Sequence, residues 1–415
     1  MKPIISLLLI IVIANSCPGQ TLDALQKKGD SLYKAKDFRN AALTFTVATK
    51  LVPANQPGTI FRYRLSASRC WALANSPDSA FAQLNRIATI KHLVYNNLIV
   101  LTTDRDLTSL HKDPRWAALN KELFDVAIKD CYSPVDSTYT LEEIIYGRKY
   151  GMALTMLQLK PTSKTNGKAI IQIRSGGWGS SFYMPGVSEA KPFLQNGYTV
   201  FIVFHGSEPV YTVVDAIEDL QRAVRFIRYT AKSYSLDANK IGVMGSSAGG
   251  HLALMCGLSD STSVAYSPDP VDRVSSKVQA VVSFSPTVDF LNWDGKGNNA
   301  SSAFLFKELL VHVLEFRKWD KERRRFTYVT DSGEINKILK QISPTYHVSS
   351  NDAAVMVLHG DRDELVPIQQ TELLVKKLQD AKVPVSFTVK KGAGHGWPKT
   401  DDETQMVLTW FSKHL

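Results

Sequence analysis

The stretch GSSAGG, residues 245–250, follows the apolar run Ile241–Met244 and precedes a helix-like pattern that begins at His251. A strand that passes through Gly-x-Ser-x-Gly into a helix is the setting in which a serine is held out on a sharp turn. Gly245 and Gly249 flank Ser247 at the two positions where such a turn has no room for side chains, and Ser246 stands aside. The N–H of Ala248 is then expected to face the same space, where the helix N-terminus begins. The competing reading is a plain glycine–serine loop. A nucleophilic serine needs a base, and the base an orienting acid, in the chain order serine, acid, histidine for this kind of turn. Downstream, VLHGDRDELVP (357–367) puts Asp361 and Asp363 in a turn after an apolar run, and GAGHGWP (392–398) sets His395 between glycines in a loop. Each candidate follows a separate expected strand. Three loops meeting at one sheet edge can perform acyl transfer: the hydroxyl attacks a carbonyl, the imidazole takes its proton, and the carboxylate orients the imidazole.

On GSSAGGHLA, HGDRDELVP and GHGWP, the chain from about 135 to 415 resembles an α/β-hydrolase. It is most similar to the esterase/lipase branch that includes hormone-sensitive-lipase-like and bacterial feruloyl-esterase-like enzymes. The resemblance implies Ser247 as nucleophile, Asp363 as acid and His395 as base. Asp363 is preferred to Asp361 because the acid of that branch stands four positions before the proline of the Val-Pro pair, here Pro367; Asp361 is left to cap the turn. Relatives carry His-Gly-Gly-Gly-Trp after the third strand, where this chain reads Arg174-Ser175-Gly176-Gly177-Trp178. Gly176, Gly177 and Ala248 are therefore the expected oxyanion hole. Ser175 is placed to reshape the acyl pocket, and Arg174 to pair either structurally or with a carboxylate of the cap or substrate. The implied reaction is hydrolysis of a small-molecule carboxylic ester through an acyl-enzyme, with no metal and no organic cofactor. Two alternatives stand. Prolyl-oligopeptidase-like peptidases share this catalytic domain but usually carry a β-propeller ahead of it. A binding protein with an inactive hydrolase domain would tolerate the altered 174–175 positions. Of the other histidines, His251 is expected to pack within its helix and His359 to close a strand, while His205 lies in a loop able to touch substrate.

The elements that must position these residues alternate in type. Leu141–Tyr146, Leu154–Leu159, Ala169–Ile173, Thr199–Phe204, Ile241–Met244, Val278–Phe284, Ala354–Leu358 and Val385–Val389 read as strands. Amphipathic helices are expected from Val213 to about Lys232, with an apolar stripe at Val213, Ile217, Leu220, Val224 and Ile227, and from Gln369 to Leu378. Alternating strands and helices predict an α/β fold, a doubly wound and mostly parallel sheet. Residues 287–351 interrupt the rhythm with a Gly/Asn-rich stretch, a helix expected over Phe304–Phe316 and a charged tract. In a doubly wound sheet this insertion projects over the carboxyl edge, where ligands bind. It reads as a cap, against the alternative of a solvated excursion.

Residues 21–127 carry helical spacing instead. Leu25, Gly29, Leu32, Ala41, Phe45, Ala48 and Pro53 resemble a tetratricopeptide repeat, with Lys28 the one misfit. A weaker copy runs through Trp71, Ala80 and Leu84, and a degenerate third unit spans Asp104 to Leu119. The alternative is an unrelated small helical bundle. A protein partner is the natural ligand of such a block. At the N-terminus, Met1-Lys2, the apolar run Ile4–Ile13 and Ala14-Asn15-Ser16 form a signal peptide over 1–16. Ten apolar residues fall short of a bilayer of about 30 Å. Cys17, directly after the cleavage point, is a candidate lipid anchor. Export to a bacterial periplasm or the exterior is expected, as a free or lipid-anchored protein. Within 415 residues carrying net charge +10 there is no dense basic stripe with interleaved aromatics, so nucleic acid is not an expected partner. Four cysteines, none in metal-binding spacing, argue against both a disulfide scaffold and a metal centre; Cys70 and Cys256 are expected to be buried.

Overall fold

The computed structural model describes residues 18–53, 57–89, 104–131, 137–180, 187–259, 263–397 and 399–415. The signal segment 1–16 and Cys17 lie outside the described residues. The chain divides into two compact units, Met1–Tyr132 and Ser133–Leu415.

The first unit is helical: α1 (Pro18–Lys34), α2 (Phe38–Leu51), α3 (Pro57–Leu73), α4 (Pro77–Ala88) and α5 (Pro114–Cys131). Prolines stand at the first position of four of these helices, where no N–H is needed. Ala41, Phe45 and Ala48 are buried on α2. Gly29 admits the Phe45 ring to a spot where a Cβ would sit 2.5 Å from it. Ala80 and Leu84 are buried on α4. The weak third stretch contributes Leu107, Leu110, Trp116 and Leu119 to the same cluster as Ala80 and Leu84.

The second unit contains β1 (Tyr139–Lys149), β2 (Met152–Pro161), β3 (Ala169–Ile173), α6 (Val187–Gln195), β4 (Thr199–Val203), α7 (Val213–Tyr229), β5 (Ile241–Ser246), α8 (Ala248–Leu258) and β6 (Ala280–Phe284). There follow β7 (Arg317–Asp320), β8 (Arg325–Tyr328), α9 (Ser332–Gln341), β9 (Ala354–Gly360), α10 (Ile368–Asp380), β10 (Val385–Lys390) and α11 (Asp401–His414). Eight strands form one sheet in the order β1-β2-β4-β3-β5-β6-β9-β10. Pairing is parallel from β4 to β10, and β1 and β2 join antiparallel at one edge. All eight expected strands are therefore in the sheet. Every residue of β3, β4, β6 and β9 is buried, as strands covered on both faces require. Alternate side chains sort to the two faces. Ile171, Val243, Val281 and Val355 pack with α7, α8 and α10; Ile170, Val282 and Met356 pack with α6 and α11.

The expected stripe of α7 is buried along its whole length, and a Thr212–Asp215 capping box starts the helix. The helix expected over Phe304–Phe316 does not form as one piece. A π turn (Leu305–Leu309) and a 3-10 turn (Val311–Leu314) replace it, and Phe316 leads into the β7–β8 hairpin. The break falls at Leu310, whose backbone leaves the helical region (φ −128°, ψ 44°) and whose side chain lies over Gly177. Phe306, Val313 and Phe316 still reach the core, together with Phe290 and Trp293. The insertion thus packs part of its side chains into the unit, while Phe304, Leu309 and Val311, the hairpin, the 294–302 turn and the outer side of α9 stay exposed.

Candidate active site

The chain turns left from β3 to β4 and right from β5 to β6 in the sheet order, so β3 and β5 flank the point where the winding reverses. The crevice beyond their carboxyl ends is where such sheets bind ligands. The strand register brings the loops after β3, β5, β9 and β10 to that edge.

After β5 the backbone turns sharply. Ser247 adopts φ 55°, ψ −122°, a conformation that costs a non-glycine residue on the order of 1–3 kcal/mol. A Cβ on Gly245 would lie 2.3 Å from the Gly249 carbonyl oxygen, so only glycine permits this turn. The strain is held by the Ser247 N–H donating to the Phe284 carbonyl (2.8 Å) and by the Ser247 carbonyl accepting from His251 N–H (2.9 Å). The Ser247 side chain does not cap α8, which leaves its hydroxyl for another partner.

That partner is His395. Its Nε2 lies 2.8 Å from Ser247 Oγ, and its Nδ1 lies 2.8 Å from Asp363 Oδ2. The structure therefore brings the three residues together in the order the spacing implied. His395 is 23% exposed, whereas the Asp363 side chain is fully buried. Asp363 Oδ1 accepts from the N–H groups of Leu365 and Val366, at 3.0 and 2.9 Å. Burial alone would raise its pKa. The hydrogen bonds from His359 and His395 and from Val366 N–H outweigh it and hold the carboxyl well below the usual carboxylate range. Asp361, the other candidate acid, instead accepts from Gly392 N–H at 2.6 Å and ties the acid loop to the histidine loop. Arg362 N–H adds a second stitch to the Ala393 carbonyl. Beyond His395, Trp397 Nε1 donates to Glu403, which also completes the capping box of α11.

The sequence did not single out His359 as a neighbour of the acid. It is buried, with Nε2 3.0 Å from the Val366 carbonyl and 3.2 Å from Asp363 Oδ2, and Nδ1 2.7 Å from Thr371 Oγ1. A carbonyl only accepts, so Nε2 carries the proton and Asp363 gains a second imidazole donor. The signal was present in the four-residue spacing of HGDRD, but a strand-end histidine reads equally well as core.

The oxyanion loop differs from expectation at one residue. Gly177 and Trp178 both have positive φ (55° and 59°), folding 176–179 into a narrow turn. Gly176 and Gly179 then exchange both backbone hydrogen bonds, at 2.9 and 3.0 Å, so the Gly176 N–H is spent on Gly179. Gly177 and Ala248 are the remaining amides of the expected set, and neither has an acceptor among the described residues. Leu310 of the insertion covers this turn, 2.9 Å from where a Cβ on Gly177 would lie. Trp178 is 2% exposed and donates its indole N–H to His251 Nδ1 at 3.0 Å. His251 Nε2 donates in turn to the Ile342 carbonyl. Burial drops the His251 pKa to about 4, which keeps the ring neutral. Trp178 also packs against Phe290 and Phe306, so one aromatic cluster joins the oxyanion loop, the elbow helix and the insertion.

Arg174 takes the structural pairing, to Glu189 at 3.2 Å and to Gln172 at 3.1 Å. Ser175 is buried, and its hydroxyl has no partner among the described residues. His205 is 5% exposed; Nδ1 donates to the Gly206 carbonyl, and burial lowers its pKa to about 4. A cleft of about 1060 Å³ lies elsewhere, lined among others by Tyr146, Asp219, Arg222, Asp269 and Asp272. Arg222 is already paired there with both aspartates, and no triad residue reaches it.

The BD-FAE family model matches residues 156–378, more than half of the chain. The chain belongs to the BD-FAE family. Among curated proteins, this BD-FAE member is similar to Esterase LipC of Mycobacterium tuberculosis, 23% identical over 62% of this chain and 60% of LipC. It spans about half to three-fifths of the length of the curated esterases it matches. Among solved structures, a truncated carbohydrate esterase from gut microbiota aligns with TM-score 0.55 and 24% identity, over 68% of this chain and 98% of that one. An acetyl ester-xyloside bifunctional hydrolase from Caldicellulosiruptor lactoaceticus aligns with TM-score 0.53 and 20% identity, over 66% and 96%. Both likenesses carry the α/β-hydrolase fold.

Proposed function

We propose that this BD-FAE member is a serine hydrolase of carboxylic esters. The observation that carries the reading is the unbroken chain Ser247–His395–Asp363, with both links at 2.8 Å. Ser247 Oγ attacks the ester carbonyl as His395 Nε2 takes its proton. Asp363, held ionised, fixes His395 as the Nδ1–H tautomer and offsets the charge of the imidazolium. The N–H groups of Gly177 and Ala248 receive the oxyanion. His395 then protonates the departing alcohol, and water, deprotonated by the same imidazole, releases the acid from Ser247. No step calls on a metal or organic cofactor. The solved neighbours are described as acting on carbohydrate esters and on an acetyl ester-xyloside, which makes sugar-borne esters the first class to assay. The N-terminal sequence supports export, and the paired helices of residues 18–131 suit a protein-binding role. Turnover of p-nitrophenyl acetate by wild type and Ser247→Ala tests the reading. Loss of turnover in the variant is expected; equal rates would sink it. Fluorogenic dipeptides assayed in parallel separate an esterase from a peptidase.

A further inference from the structure

The insertion sends one side chain to the oxyanion turn. The π turn Leu305–Leu309 ends at Leu310, whose N–H donates to the Leu305 carbonyl at 2.8 Å; Val313 N–H donates to the Leu310 carbonyl at 3.1 Å. Leu309 and Val311, on either side, are 52% and 53% exposed, while Leu310 turns inward and packs against the core. Its Cδ2 would lie 2.9 Å from a Cβ placed on Gly177, and its Cδ1 3.4 Å. Behind it the space is filled. Phe306, from the same π turn, meets Trp178 at 6.1 Å, Phe290 at 5.8 Å and Trp293 at 5.2 Å between ring centroids. All four are buried. Leu310 is thus a wall backed by packed rings, set against the turn that carries one of the two proposed oxyanion donors.

An ester bound at Ser247 has three directions around its carbonyl carbon. Its oxygen points to the N–H groups of Gly177 and Ala248. Its alcohol oxygen must lie near His395 Nε2, which protonates it. The acyl group takes the direction that remains, along the oxyanion turn and away from the imidazole. The two core clusters divide the crevice in the same sense. Trp397, two residues after His395, packs with the α6 and α11 face, whereas Leu310 packs with the α7, α8 and α10 face.

We propose that Leu310 is the wall of the acyl subsite and limits this enzyme to short, unbranched acyl groups, with acetyl preferred and aryl-acyl groups such as cinnamoyl turned away. This deepens the ester-hydrolase reading and rests on it. Gly177 cannot retreat, because its left-handed φ of 55° and the paired Gly176–Gly179 hydrogen bonds fix the turn. Leu310 cannot swing back either, because a close-packed aromatic cluster has no void to receive it. A chain longer than acetyl therefore meets the isobutyl group. The alcohol instead leaves past His395, which is 23% exposed. A pocket wall of this kind separates neighbouring chain lengths by about 10-fold or more per methylene.

The test compares kcat/KM for p-nitrophenyl acetate, butyrate and hexanoate in full-length wild type, Leu310→Val and Leu310→Ala. Ratios between esters are read on one preparation, so any misfolded fraction cancels. Wild type is expected to prefer acetate to butyrate by about 10-fold or more and to leave methyl cinnamate intact. Leu310→Val should narrow the ratio, and Leu310→Ala should reverse it in favour of butyrate. Leu310→Met, of similar volume, should keep the wild-type order, which separates lost size from a damaged turn. Alcohol preference, read from ethyl, hexyl and benzyl acetates, should not follow the series. A wild type that takes hexanoate as well as acetate, an acetate-to-butyrate ratio unmoved by Leu310→Ala, or a change confined to the alcohol panel would overturn the proposal. Absence of turnover on every ester, in wild type as in Ser247→Ala, would instead sink the ester reading.

Discussion

The two sides of the proposed catalytic centre are built differently. The relay side, Ser247, Asp363 and His395, is fixed by strand ends and short-range backbone bonds: a strained elbow, N–H groups two and three residues after Asp363, and two stitches between adjacent loops. The oxyanion side is fixed at a distance. Trp178 reaches His251, which reaches Ile342, and Leu310 closes over Gly177. Chemistry that moves a proton sits on local geometry, while the pocket that receives charge depends on residues far away in the chain.

Substitutions can break or sharpen this contrast. The largest effect is expected on the relay side, where Ser247→Ala should lower kcat by about 10⁶, as loss of a serine nucleophile does elsewhere. Asp363→Asn keeps the shape but favours the wrong imidazole tautomer, and a loss of about 10⁴ is expected. Ser247→Ala should keep the wild-type melting temperature within a few degrees, which calorimetry checks. Asp363→Asn should lower it, because an amide sets its own donor against the imidazole N–H groups of His359 and His395. A collapse of Tm in Ser247→Ala would mean that the relay side is structural first.

On the oxyanion side, Gly177→Ala forces a side chain into a left-handed turn and against Leu310. A loss of about 10² in kcat is expected, the scale of one oxyanion donor. Adding Leu310→Ala should recover part of it by relieving the contact; no recovery would show that the backbone strain alone matters. Trp178→Phe leaves the buried His251 Nδ1 without its donor, which costs about 1–3 kcal/mol of stability. Chemical denaturation measures this, and an unchanged midpoint would detach the indole from its assigned role.

The smallest effect separates the two sides by pH. His205 and His251 have folded pKa values lowered to about 4 from an ordinary 6.5. The unfolded chain therefore takes up protons that the folded one refuses. Stability is fully present above pH 6.5 and falls as pH drops from 6.5 towards 4. Asp363, depressed in the folded state, keeps its contribution throughout that window and loses it only below the ordinary carboxylate range. A melting temperature that is flat between pH 7 and 5 would contradict this.

The same contrast explains what was legible in the sequence. The strands, the elbow and the order of the triad are written locally, in apolar runs, glycine spacing and turn residues, and those expectations could be made without tertiary knowledge. The Gly176 amide could not. Whether it faces a ligand or pairs with Gly179 depends on two successive positive φ angles at Gly177 and Trp178, which no motif encodes. The Phe304–Phe316 stretch has helical spacing, yet the helix breaks at Leu310, which lies over Gly177, a contact that no local pattern encodes. His359 lay in plain view beside the acid, but a buried histidine at a strand end shows its purpose only once its hydrogen bonds are known.

The central claim is that Ser247 is the activated nucleophile of a working relay. Treatment with a fluorophosphonate probe, followed by peptide mapping, tests it most directly. A single adduct on Ser247 is expected in the wild type, with labelling slowed by orders of magnitude in His395→Ala. Labelling of another serine, or equal labelling of Ser247 in both proteins, would contradict the account.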